Sequence, residues 1–235
     1  MLIMNNGYLY SFFSKDSSKG LFFKEFLTSY NSLKKVLPES KVCIHTNIEF
    51  DNCYGIDHVI YDNDIDKRDI CKAYGLLDSP FDNTIYLDTD TCIHKNTIND
   101  IFIALKDFSF CAAHGAQNAC GTIYPDFNCG LIGARGDPDT RSKIQNWIDI
   151  YNEDSKKKIE KLKHKKLNFH QETAQISFRK LFLQSKKDFY ILPQYFNYRW
   201  SHIKSYVNQA ILTHDHSFKK NVVTQKIINS YKKNL

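Results

Sequence analysis

A chain of 235 residues has room for one large domain or two small ones, at roughly 150 residues per domain. With 42% hydrophobic and 25% charged residues it sits near the soluble globular average, which excludes a disordered or fibrous chain, and no stretch approaches the roughly 18 apolar residues of a membrane span. Thirty-two Lys and Arg against 26 Asp and Glu leave a formal charge of +6, which suits an anionic partner and leaves nucleotide, nucleic acid and acidic lipid open.

Met1-Leu2-Ile3-Met4 meets Asn5-Asn6 after four apolar residues, too few for a signal-peptide core. Residues 8–13, short and aromatic, read as a buried strand, followed by a loop through Gly20. Residues 21–37 carry Phe22, Phe23, Phe26, Leu27, Tyr30, Leu33 and Leu37 at helical spacing, and Pro38 closes that helix. Residues 41–45 and 57–61 are predicted strands, and 65–77 a second helical stretch. The next strand, Asn83–Leu87, is apolar enough for burial on both faces and runs straight into Asp88-Thr89-Asp90-Thr91. Beyond it the pattern predicts a helix over 98–105, strands over 108–113 and 127–134, and a helix over 139–151. A lysine-dominated stretch over 154–166 reads as a solvated helix face or loop, with a polyanion-binding strip as the alternative. A helix over 171–183, a strand over 190–192 ended by Pro193, and a late strand over 210–213 complete the pass. The rhythm predicts one α/β domain over 1–217 with a mostly parallel central sheet, and a basic amphipathic tail over 218–235.

Seven cysteines at 43, 53, 71, 92, 111, 120 and 129 are odd in number and contain no CxxC pair. That argues against a disulfide framework and a zinc knuckle, and predicts a reducing, cytoplasmic setting.

Asp88 and Asp90 carry the sharpest chemical signal. Side chains alternate along a strand, so positions i and i+2 point to one side, and two carboxylates converge at its carboxyl end. Crowding two anions at the edge of an apolar sheet is unfavourable unless a cation sits between them, and such oxygen ligands suit Mg2+ or Mn2+. A solvated acidic loop is the alternative.

Residues 83–91, Asn-Thr-Ile-Tyr-Leu-Asp-Thr-Asp-Thr, resemble the metal-binding strand of nucleotide-sugar glycosyltransferases of the GT-A fold, in particular family 8, which includes glycogenin and bacterial lipooligosaccharide galactosyltransferases. Lys72, ahead of that strand, stands where such enzymes place a lysine over the donor. Phe127-Asn128-Cys129-Gly130 is similar to the family's Phe-Asn-Ser-Gly, Leu192-Pro193 followed by Asn197 to its Leu-Pro-x-x-Tyr-Asn, and Ala210-Ile211-Leu212-Thr213-His214 to the strand that delivers a metal-binding histidine. The resemblance runs over most of residues 8 to 214 and implies a single Rossmann-like GT-A domain.

It also implies roles. Asp88, Asp90 and His214 would hold the metal, with His216 as a same-face rival, and a nitrogen ligand favours Mn2+ over Mg2+. Lys72, Thr89, Asn128, Gly130 and Asn197 would meet the donor, and Phe12, Phe13 and Ser14, after the first strand, its base and ribose. Gln171 and Glu172 stand where the family shows Asp-Gln on the reacting face. Here His170 replaces the acid, so either Glu172 supplies the carboxylate or the donor sugar differs. The implied reaction is metal-dependent transfer from a UDP-sugar, with retention of configuration, to a glycan, lipid-linked or protein acceptor, with no nucleic acid involved. The alternatives are a sugar-nucleotide-binding protein without turnover and a nucleotidyltransferase. The latter normally shows a glycine-rich phosphate loop, and residues 14–20 contain only Gly20. In the tail, Phe218, Val222, Val223, Ile227, Tyr231 and Leu235 recur at helical spacing among lysines, a pattern that either lies on an anionic membrane or packs on the domain.

Overall fold

Strands β1 (Asn6–Phe12) and β4 (Asn83–Leu87) form the middle of the sheet: more than half of their residues are apolar or aromatic, and all but Asn6 are buried. The computed structural model describes residues 4–14, 19–49, 54–115, 127–162, 174–199 and 208–214. Around those two strands lie β2 (Val42–Thr46), β3 (His58–Tyr61), β6 (Phe110–His114), β7 (Phe127–Arg135) and β8 (Phe189–Leu192), in the order β3-β2-β1-β4-β7-β6-β8. All pairings are parallel except those of β7, which runs against both β4 and β6. Two short strands, β5 (Thr91–Ile93) and β9 (Leu212–His214), pair antiparallel as a separate sheet, with Thr91 opposite His214.

Alternation along each strand divides the core into two layers. Tyr8, Tyr10, Phe12, Ile85 and Leu87 face helix α1 (Lys19–Val36) and helix α3 (Asp100–Ala104). There Phe26 stacks on Phe12 with ring centroids 5.2 Å apart and meets Tyr10 edge-on at 5.2 Å. Leu9 and Tyr86 face the other way, toward α2 (Cys71–Leu77), α4 (Pro138–Leu162) and α5 (Ala174–Gln184). Trp147 of α4 is fully buried on that side and donates its indole N–H to the Ala174 carbonyl at 3.1 Å and to Ser177 Oγ at 2.9 Å. Burial of each such ring contributes about 1.5–3 kcal/mol, so the aromatic-rich composition is accounted for by these layers.

Several predicted boundaries move. The predicted helix over 65–77 is a 3-10 segment, Ile65–Ile70, followed by α2. The helix over 139–151 continues to Leu162, taking in much of the lysine-rich stretch, because Lys and Glu are good helix formers and need no buried face. Its start is set by Pro138 in the first turn and by Asp137, whose carboxylate accepts the Thr140 N–H at 3.1 Å. Strand β5 is not expected from the sequence pattern, and the described part of the helix expected over 171–183 is α5, Ala174–Gln184. Gln171, Glu172, His216 and the tail over 218–235 lie outside the described residues. Among the described residues no helix is long and apolar enough to cross a membrane.

Candidate metal and donor site

Asp88 follows β4 at the carboxyl edge of the sheet. Its N–H donates to the Gly130 carbonyl of β7 at 2.9 Å, which extends the β4–β7 ladder by one step. The chain then turns. Thr91 Oγ1 donates back to the Asp88 carbonyl at 2.7 Å, so Asp88 and Asp90 converge through a closed turn rather than through the alternation of a continuing strand. The β5–β9 pairing brings His214 from far along the chain to the same place, where its Nε2 lies 3.1 Å from Asp90 Oδ1 and 3.5 Å from Asp88 Oδ2.

Each of the three residues offers a ligand atom within 4.8 Å of the others. Asp90 and His214 are buried and Asp88 is partly so. Two carboxylates and a nitrogen in such surroundings fit a divalent cation by donor chemistry. Gly130 supports that fit: a Cβ built there would stand 2.1 Å from His214 Cε1 and 2.3 Å from Nδ1, so the imidazole occupies the space a side chain would take.

The histidine is oriented from behind. Asn197 Oδ1 lies 3.2 Å from His214 Nδ1, and since an amide oxygen only accepts, Nδ1 carries the proton and Nε2 turns to the carboxylates. Asn197, fully buried in the 3-10 turn Gln194–Asn197, also donates to the Asn128 carbonyl at 3.2 Å. Asn128 Oδ1 accepts the Gly130 N–H at 2.9 Å. Both asparagines were expected at the donor. Their side chains are buried and bonded to the protein itself, and they support the histidine and the β7 backbone.

Lys72, on α2, reaches Asp88 Oδ1 at 3.0 Å and the Cys129 carbonyl at 3.2 Å. Burial, the largest single influence, favours the neutral amine, but the Asp88 charge, its hydrogen bond to the ammonium and the neighbouring Cys129 and Cys71 together hold the lysine pKa above its ordinary value, so the ammonium persists. Tyr86 O–H donates to the same Asp88 oxygen at 2.5 Å. Burial, reinforced by the Asp88 charge, raises the phenol pKa well above its ordinary value and keeps it a donor. Thr89 is half-buried between the two aspartates.

Phe12 and Phe13, expected near the donor's base and ribose, lie at the end of β1 and just after it. Both are buried, Phe12 against Phe26 and Phe13 edge-on to His45 at 5.0 Å, so neither ring is exposed for a base to stack on. Ser14 is held in place by Asn47, which accepts the Ser14 N–H and donates to its carbonyl, both at 3.0 Å. The sequence reading missed Tyr86 and Asn47. An aromatic residue two positions before Asp88 and an amide just past β2 are the signals that point to them.

A serine, a histidine and an aspartate also meet near the carboxyl ends of β1 and β2. Ser11 Oγ is 2.8 Å from His45 Nδ1, and His45 Nε2 is 3.5 Å from Asp62 Oδ2. Ser11 Oγ donates to the Cys71 carbonyl at 3.0 Å, and His45 is fully buried, so the group ties strands together and offers no reachable nucleophile.

No protein-family model and no curated protein matches the chain. Solved structures do. The glycosyltransferase GlyE of Streptococcus pneumoniae TIGR4 superposes with a TM-score of 0.66 at 11% identity, over 96% of this chain and 60% of that one. This chain therefore spans about three-fifths of the GlyE structure. The galactosyltransferase LgtC, in complex with donor and acceptor sugar analogues, gives a TM-score of 0.60 at 12% identity over 97% of this chain and 95% of that one. An active-site mutant of LgtC gives 0.63 at 12% identity. At such identity the agreement is one of architecture, and the architecture of this chain is the GT-A glycosyltransferase fold.

Proposed function

We propose that this chain is a metal-dependent glycosyltransferase that moves a sugar from a UDP-sugar to a glycan, lipid-linked or protein acceptor, with retention of configuration. The observation that carries the proposal is the Asp88–Asp90–His214 group at the carboxyl edge of a GT-A sheet. Ligands of open α/β sheets bind at that edge, and a diphosphate leaving group gains negative charge as the glycosidic bond breaks.

In this reading Asp88, Asp90 and His214 hold Mn2+ or Mg2+, which when bound supplies Lewis-acid stabilisation to the departing diphosphate. Asn197 keeps the His214 proton on Nδ1 and so keeps Nε2 as a ligand. Lys72 places a permanent positive charge beside Asp88, facing the donor's phosphate or sugar hydroxyls. Gln171 and Glu172 are assigned to the reacting face of the sugar on the family resemblance alone. A cytoplasmic setting is assigned on the cysteine pattern.

The test is incubation with a panel of UDP-sugars and Mn2+, with UDP release as the readout. Asp88→Asn and Asp90→Asn should each lower release by roughly 100-fold or more while leaving the thermal midpoint within a few degrees. Wild-type rates in both variants reject the metal-site reading. Donor binding without UDP release under any acceptor condition favours a sugar-nucleotide-binding protein instead.

A further inference from the structure

Asp88 is held asymmetrically. Its Oδ1 receives two donors, the Tyr86 hydroxyl at 2.5 Å and the Lys72 ammonium at 3.0 Å, while its Oδ2 faces His214 Nε2 at 3.5 Å. The terminal torsion of a carboxylate is broad, so an aspartate with only one loosely held oxygen samples many orientations. Two donors converging on Oδ1 remove that freedom and point Oδ2 at the place where Asp90 Oδ1 and His214 Nε2 meet.

Of the two donors, Lys72 also bonds the Cys129 carbonyl and is the group placed to meet the donor substrate. Tyr86 directs its hydroxyl to Asp88. Its ring is 1% exposed, packed in the layer formed by α2, α4 and α5, and the Lys72 ammonium lies 5.2 Å from the ring centroid. Packing alone would be met by phenylalanine. A hydroxyl carried into an apolar layer is costly unless it finds a partner, and here its partner is one carboxylate oxygen of the metal group.

We propose that Tyr86 is a positioning residue of the metal site: its hydroxyl anchors Asp88 Oδ1 so that Oδ2 is presented, with Asp90 and His214, to a divalent cation. The proposal rests on the metal-site reading above and extends it to a residue that no ligand pattern assigns.

Tyr86→Phe removes one oxygen and keeps the ring. Mn2+ binding is measured without donor, by electron paramagnetic resonance of the free ion, for the unaltered protein, Tyr86→Phe and Asp88→Asn, with thermal unfolding recorded for each. The expected result is a 10- to 100-fold weaker Mn2+ affinity in Tyr86→Phe, the range typical of lost outer-shell partners, and a larger loss in Asp88→Asn. A purely structural tyrosine would shift the thermal midpoint and leave the affinity of the folded protein unchanged, and that outcome overturns the proposal. Failure of the unaltered protein to bind Mn2+ overturns the metal reading itself, and this proposal with it. Should Tyr86→Phe not fold, the Tyr86 hydroxyl proton of the unaltered protein is followed by NMR during Mg2+ titration. A saturable shift supports the proposal, and a resonance indifferent to Mg2+ overturns it.

Discussion

Gly130 shows how much one missing side chain contributes to the site. Gly130→Ala would drive a methyl into the His214 ring at 2.1 Å, so the ring must shift. The expected outcome is more than 10-fold weaker Mn2+ binding, with an overpacking cost of about 1–3 kcal/mol, read by titration and by denaturant unfolding. A second single-residue prediction concerns His94, whose Nε2 is 3.0 Å from Thr213 Oγ1. Burial, with the Lys95 charge adding to it, pushes its pKa down from 6.5 to about 4. The unfolded chain therefore takes up the proton more readily. This contribution to stability is present above pH 6.5 and is lost as pH falls toward 4, by at most about 3 kcal/mol. His94→Gln should flatten that part of the stability profile, measured by urea unfolding at pH 7, 5.5 and 4. At this scale the sequence was legible for the residues of the candidate metal group and less so for their supports. Asp88, Asp90 and His214 stand out because charged or coordinating groups follow apolar runs. Asn197 acts through partners 17 and 69 residues away, a relation that no local pattern carries.

Among the elements, β9 matters beyond its three residues, because its pairing with β5 sets where His214 lands. Leu212, fully buried, anchors it. Leu212→Ala should cost about 2–5 kcal/mol and also weaken Mn2+ binding, since a loosened strand no longer holds the ligand. Unfolding and titration of one sample check both effects, and a stability loss with unchanged affinity would separate the strand from the site. The long buried strands were legible: Asn83–Leu87 has the predicted limits because five buried residues in a row leave little choice. Strands of three residues such as β5 and β9 are too short to show a period, and β5 is masked further by the polar residues before it. Phe12 at the end of β1 and Phe13 after it are both buried, and adjacent aromatics in a sequence carry no sign of which side each ring takes.

For the whole molecule, a cation held between residues 88 and 214 would link the middle of the chain to its later part, and its binding would stabilise only the folded state. At a concentration 100-fold above the dissociation constant the gain is about 2.7 kcal/mol. The thermal midpoint should therefore rise with Mn2+ in the unaltered protein and stay fixed in Asp90→Asn, as scanning calorimetry can check. The direction of β7 has a further consequence. Since it alone runs against its neighbours, it brings its beginning, Phe127 to Gly130, to the edge where β4 and β6 end. The connection between β6 and β7 thus leaves and rejoins the sheet at the edge that carries Asp88, and its two anchor points are fixed by the ladder. If the proposed transfer holds, changes in the length or composition of that link would reach the edge beside Asp88 while leaving the β4–β7 and β6–β7 register in place, so substrate preference could change without moving Asp88, Asp90 or His214.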